Sequence, residues 1–194
     1  MEASGGRRLV LLADVSGKGI PAALVMSNVQ AALQAAAMID FDLAGQLGRL
    51  NDQLHARLGG KRYLTGIFAL LEPAAPTGIL VNAGHPDPLI AGPSGVRRVT
   101  GRDMPLALLP GRRFTTHPFA MAPGEMLLLY SDGLTDAPDQ AGEPLGIAGV
   151  EKLFAAAYSD DPVRTLDKIF TAFKAHETAA SDRDDQTALI IRAE

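Results

Sequence analysis

Cysteine is absent from the 194 residues. That excludes a disulfide framework, a thiolate nucleophile, a zinc–thiolate centre and an iron–sulfur cluster. Histidine is scarce: His55, His85, His117 and His176 show none of the spacings, such as H-E-x-x-H, that set two imidazoles on one metal. No apolar run approaches the roughly 18 residues that span a bilayer. The start, Met1-Glu2-Ala3-Ser4-Gly5-Gly6, lacks the basic-then-apolar layout of a signal peptide. A strong charge of one sign is missing too. A formal net charge of −4 gives no electrostatic reason to expect nucleic acid or a membrane as the main partner. A cytoplasmic location is the default expectation.

What is present describes an ordinary globular chain, with 47% hydrophobic and 21% charged residues rather than the composition of disorder. The length suits a single domain over residues 1–194 with a real core. Arg7 to Asp14 predicts a buried strand, Ser16-Gly17-Lys18-Gly19 the loop that ends it, and Pro21 the first turn of a helix. Ala22 to Met38 is rich in good helix formers. Asp40 is placed to cap a second helix through Leu58, with Leu43, Leu47, Leu50, Leu54 and Leu58 on one face and Gly59-Gly60 ending it.

Short strands separated by turn chemistry follow: Tyr63 to Leu71, Gly78 to Ala83, Pro88 to Ala91, Val96 to Thr100, Arg113 to Ala120 and Glu125 to Ser131. Gly92-Pro93-Ser94-Gly95 makes a hairpin-like break. Helices near Ile147 to Ala157 and Pro162 to Glu177 precede a last strand, Gln186 to Arg192. No internal repeat or domain-splitting linker interrupts the chain. This order predicts an α+β or layered sandwich fold and argues against a doubly wound nucleotide fold.

Three aspartates stand where strand-like apolar runs meet turns: Asp14, Asp132 and Asp184. Strand ends can bring distant residues to one rim. Carboxylates gathered there repel unless a cation neutralises them, and hard divalent cations prefer such all-oxygen surroundings. A metal-dependent hydrolase is the chemistry this pattern suggests.

Other motifs fall short of chemistry. Gly17-Lys18-Gly19 misses the Walker A pattern, with no glycine four residues before Gly17 and no Ser or Thr after Lys18. Ser131 lacks the G-x-S-x-G surround of a nucleophile elbow. Asp136 reads as a helix cap or a solvated residue, and Asp182 as part of a solvated charged loop, whereas one of Asp184 and Asp185 belongs at the sheet end. His85, in Ala83-Gly84-His85-Pro86, reads as a structural histidine beside a turn, with a general acid as the sharper alternative.

Taken in order, four segments resemble the metal-dependent protein phosphatase (PPM) family, the protein phosphatase 2C-like enzymes. They are Asp14-Val15-Ser16-Gly17-Lys18-Gly19-Ile20-Pro21-Ala22-Ala23, Asn82-Ala83-Gly84-His85-Pro86, Tyr130-Ser131-Asp132-Gly133-Leu134-Thr135-Asp136-Ala137 and Asp184-Asp185-Gln186-Thr187. More narrowly, they look like the bacterial branch typified by stage II sporulation protein E and by phosphatases that regulate alternative sigma factors. The resemblance implies a four-layer α-β-β-α sandwich of two mostly antiparallel sheets flanked by helices. It also implies a two-metal Mn²⁺ or Mg²⁺ centre. In that pattern Asp14 bridges both metals, the Val15 carbonyl completes one site, and Asp132 and Asp184 bind the second metal. These three aspartates are then the catalytic residues.

The implied reaction is hydrolysis of phosphoserine or phosphothreonine by metal-activated water, without a phosphoenzyme. Lys18 could add positive charge near the phosphate. The implied substrate is a phosphorylated signalling protein of the anti-sigma-factor-antagonist type. Residues Ala22 to Leu58 correspond to helices tied in this branch to regulators and dimer contacts, which leaves a homodimer open.

One departure concerns the start. The family's leading strand, with its Gly-Gly-Asp-type motif, has no counterpart here, since Gly5-Gly6 are followed by Arg7-Arg8. The expectation is a missing first strand, one metal-centre carboxylate fewer, and weaker metal binding. Two other readings compete: a catalytically weak or inactive partner-binding domain of the same fold, and a small-molecule phosphohydrolase.

Overall fold

The computed structural model describes residues 1–37, 42–72, 74–176 and 185–194. In chain order the elements begin with β1 (Arg8–Val15), α1 (Ile20–Ala37), α2 (Leu43–Leu58), β2 (Leu64–Leu71), β3 (Thr77–Ala83), β4 (Leu89–Gly92) and β5 (Gly95–Arg98). They continue with β6 (His117–Ala120), β7 (Met126–Tyr130), α3 (Asp132–Thr135), α4 (Gly146–Ala157), α5 (Pro162–His176) and β8 (Ala188–Arg192). The chain divides into two compact units, Met1–His85 with Gly101–Ala120, and Pro86–Thr100 with Met121–Glu194.

The first unit holds an antiparallel sheet of order β1-β2-β3-β6. β2 lies inside it, and its Ile67, Phe68, Ala69 and Leu70 are fully buried. The leucine stripe predicted for the second helix does what its spacing requires. Leu43, Leu47, Leu50 and Leu54 enter one core with Val25, Val29 and Leu33 of α1 and Leu9, Phe68, Leu70 and Val81 of the sheet. Each such side chain contributes about 1.5–3 kcal/mol by leaving water.

The cap of α2 differs from expectation. Asp42 is the N-cap, its carboxylate accepting from Gly45 N at 3.1 Å, while Asp40 falls outside the described residues. Gly59 closes the helix as expected, at φ 60°, with its N–H donating to the His55 carbonyl. α1 carries no charged residue and is long and apolar enough, by length and composition, to cross a membrane. Counting uninterrupted apolar runs passes over this, because Ser27, Asn28, Gln30 and Gln34 break the run. In the fold Val25, Val29, Leu33 and Ala37 face the core.

The second unit holds a sheet of order β5-β4-β7-β8, also antiparallel throughout. β4 and β5 form the predicted hairpin, with Gly92 opposite Gly95 and Pro93-Ser94 as the turn. All five residues of β7 are buried. Leu89, Met126, Leu128 and Tyr130 share a core with Val150 and Phe154 of α4 and Ile169 and Phe173 of α5. Arg97 on β5 forks onto Glu125, just ahead of β7, through bonds of 2.5 and 2.7 Å. Two antiparallel sheets, each with helices of its own, form the α+β class that the element order predicts.

Candidate functional site

Asp14 is the penultimate residue of β1, exposed, directly opposite Thr65 on β2. Val15 behind it is buried. The chain then leaves the ladder in an orderly way. Ser16 N donates to the Tyr63 carbonyl at 2.9 Å, Tyr63 N donates to Ser16 Oγ at 2.9 Å, and Gly17 and Gly19 take φ values of 87° and 80°. Such values favour glycine, and they turn the strand sharply into α1. Lys18 between them is exposed.

The Asn82–Pro86 segment brings up a polar knot behind Thr65. His85 N donates to Asn82 Oδ1 at 2.8 Å, and Asn82 Nδ2 donates back to the His85 carbonyl at 3.0 Å. His85 Nδ1 is hydrogen-bonded to Thr65 Oγ1 at 3.1 Å. Asn82 and His85 have no solvent exposure. Gly84 takes φ 74°, and a Cβ there would lie 2.8 Å from Pro105 Cγ. A fully buried imidazole used in this way is a structural histidine. The general-acid alternative gains no support.

In the second unit Asp132 begins α3 at the end of β7 and is half-buried. Gly133, Leu134 and Thr135 after it are buried, so the helix is anchored by its own apolar side. Thr135 Oγ1 donates to the Asp132 carbonyl and to Asp136 Oδ1, both at 2.9 Å. Asp136 is exposed and ends the helix rather than starting one. Ser131 is a clamp. Its hydroxyl donates to the Asp185 carbonyl at 2.7 Å and accepts from Thr187 N at 2.9 Å. This ties the end of β7 to the segment that leads into β8.

Asp184 lies outside the described residues, as does Asp182. Asp14 and Val15 belong to the first unit and Asp132 to the second. Among the described residues no three His, Asp or Glu side chains gather as a metal-binding group. The donors on offer are carboxylate and carbonyl oxygens, with no thiolate in the chain and His85 engaged in the core. That donor chemistry fits a hard divalent cation and does not favour zinc or copper. Thr65 and Arg62 belong to no motif of the sequence. Arg62 Nη1 donates to the Ser16 carbonyl at 2.8 Å; its only sequence signal was a basic residue entering the strand that pairs with the Asp14 strand.

Known proteins share this fold. Phosphoserine phosphatase RsbP of Bacillus subtilis (strain 168) is 23% identical over 188 residues, covering 94% of this chain and 45% of RsbP. The chain thus spans about half the length of that relative. The SiaA-PP2C domain of Pseudomonas aeruginosa superposes with a TM-score of 0.83 at 18% identity, over 97% of this chain and 79% of that one. RsbX, solved in complex with magnesium, superposes with a TM-score of 0.69 at 17% identity, over 98% of this chain and 83% of that one. These likenesses show the fold. The family described as Stage II sporulation protein E (SpoIIE) matches residues 4–194, nearly the whole chain, and this protein belongs to that family.

Proposed function

We propose that this chain is a metal-dependent protein serine/threonine phosphatase that hydrolyses a phosphoserine or phosphothreonine on a signalling protein, of the anti-sigma-factor-antagonist type. The family supports a phosphatase, and the relative RsbP carries the name of a phosphoserine phosphatase. Asp14, the Val15 carbonyl, Asp132 and Asp184 would hold two divalent cations, Mn²⁺ or Mg²⁺. Bound there, the metals would neutralise the phosphate and lower the pKa of the attacking water.

The chain's own work is placement and exclusion. β1 and its glycine turn present Asp14 to solvent at a fixed ladder position. β7 and the buried flank of α3 hold Asp132. The observation that carries the proposal is the Ser131–Asp185 bond. It fixes the main chain beside Asp132 to the residue that follows Asp184 in sequence. The same bond commits the Ser131 hydroxyl and buries it, which suits an activated water rather than a serine as the attacking group.

The test compares Mn²⁺-dependent phosphate release from a phosphoserine peptide with release from free phosphorylated metabolites. Turnover confined to the peptide supports the proposal. Turnover confined to metabolites would make the protein a small-molecule phosphohydrolase. Tight binding of the peptide without release would make it a partner-binding domain.

A further inference from the structure

Arg97 and Arg98 each place two N–H groups on a carboxylate, Glu125 and Glu151 respectively. Arg62 does otherwise. It donates once, from Nη1 to the neutral Ser16 carbonyl, and among the described residues it pairs with no carboxylate. Its head group lies directly over Gly17, where an added Cβ would overlap Nη1. Glycine at position 17 therefore meets two needs: a φ of 87° and room for a guanidinium.

The ladder that sets Asp14 also sets Arg62. Asp14 faces Thr65, Val15 faces Leu64, and Ser16 and Tyr63 exchange hydrogen bonds one step further on. The guanidinium is thus seated on the turn that starts two residues after Asp14. Its remaining N–H donors form the planar fork that matches phosphate oxygens.

We propose that Arg62 binds the phosphate oxygens of the substrate beside Asp14, with the Ser16–Gly17 turn as its seat. This rests on the phosphatase reading and supplies the protein's own cation for it. A phosphomonoester carries a charge of about −1.5 to −2 at neutral pH, and it must approach a carboxylate to reach the site. Lys18 is exposed on a flexible stem, whereas Arg62 is half-buried and already tied down. A pre-placed donor loses less freedom on binding.

The experiment is calorimetric titration of the Mn²⁺-loaded full chain with inorganic phosphate, alongside melting curves. Arg62→Ala and Arg62→Lys are both expected to weaken phosphate binding by about tenfold or more, because lysine keeps the charge and loses the fork. Gly17→Ala, which leaves Arg62 in place but fills its seat, is expected to weaken binding in the same direction. Lys61→Gln, removing an exposed charge one residue away, is expected to stay within about twofold of the parent. Unchanged phosphate affinity in both Arg62 variants with lowered melting temperatures would make Arg62 a turn staple and overturn the proposal. So would a parent that releases phosphate from p-nitrophenyl phosphate with Mn²⁺ but binds phosphate no better than Arg62→Ala, a result that leaves the phosphatase reading standing. A parent that neither binds nor releases phosphate overturns both.

Discussion

His85 Nδ1 and Thr65 Oγ1 are hydrogen-bonded at 3.1 Å, and Thr65 is the residue that faces Asp14 across the β1–β2 ladder. A buried imidazole thus bonds the cross-strand partner of the candidate metal carboxylate.

Removing that imidazole leaves a cavity and strips a partner from Thr65 Oγ1, while the main-chain bonds of His85 to Asn82 remain. His85→Ala is expected to cost about 2–4 kcal/mol in urea unfolding. Thr65→Val, which deletes only the hydroxyl, is expected to cost about 1–3 kcal/mol. A His85→Gln variant of parental stability whose kcat collapses, with the alkaline limb of its pH profile gone, would restore the general-acid reading.

Asp42 should matter to α2 as an N-cap. Asp42→Ala is expected to lose about 1 kcal/mol, and Asp42→Ser to retain most of that, because a hydroxyl can also accept from Gly45 N. Urea midpoints of the two variants check it. No loss in Asp42→Ala would show that the cap bond contributes nothing.

Ala107 is buried at φ 66°, with its N–H donating to Asn51 Oδ1 and its carbonyl accepting from His55 Nδ1, both at 2.9 Å. A side chain in this left-handed conformation costs about 1–2 kcal/mol, so Ala107→Gly is expected to be close to neutral despite the lost methyl. Ala107→Val should cost about 2 kcal/mol or more, because a β-branched residue is an outlier there. Differential scanning calorimetry separates the pair, and a large loss in Ala107→Gly would argue against strain.

Glu125 gives the fold a pH signature. The hydrogen bonds from Arg97 hold its carboxyl below the usual carboxylate range, against the opposing effect of burial. A depressed folded pKa means stability that is full above the unfolded value of about 4.3 and is lost as pH falls through the folded one. Glu125→Gln is expected to be less stable at pH 7 by about 1 kcal/mol, the low end for a charge-assisted pair, because the Arg97 side chain is 47% exposed. The gap should narrow in acid, where the parent loses what the variant never had. An equal gap at pH 7 and pH 3 would contradict the assignment.

Local signals in the sequence were sufficient for most elements. The leucine spacing of α2, the Gly-Pro-Ser-Gly hairpin and the apolar run of β7 each describe one segment and its immediate chemistry. What stayed hidden depends on partners distant in sequence. The strand expected from Arg113 begins only at His117. Before that point Thr115 N bonds to the Asp103 carboxylate instead of a ladder partner. Asp132 starts a helix of four residues, too short to leave a periodic signal. At the candidate site Asp14 and Asp132 were legible as candidates because each ends an apolar run, and Asp184 because one follows it, though Asp184 lies outside the described residues. Arg62 and Thr65 were not, because their roles come from the β1–β2 register. The Asp40 cap missed by two residues, since either aspartate satisfies the sequence pattern equally well.

Mn²⁺-dependent phosphate release from p-nitrophenyl phosphate by the parent chain and by Asp132→Asn decides whether this protein is a metal-dependent phosphatase. Release by the parent is expected to require Mn²⁺ and to fall by about a hundredfold or more in the variant, at equal folded concentration. No release from folded parent protein at saturating Mn²⁺, or equal release by both proteins, would contradict it.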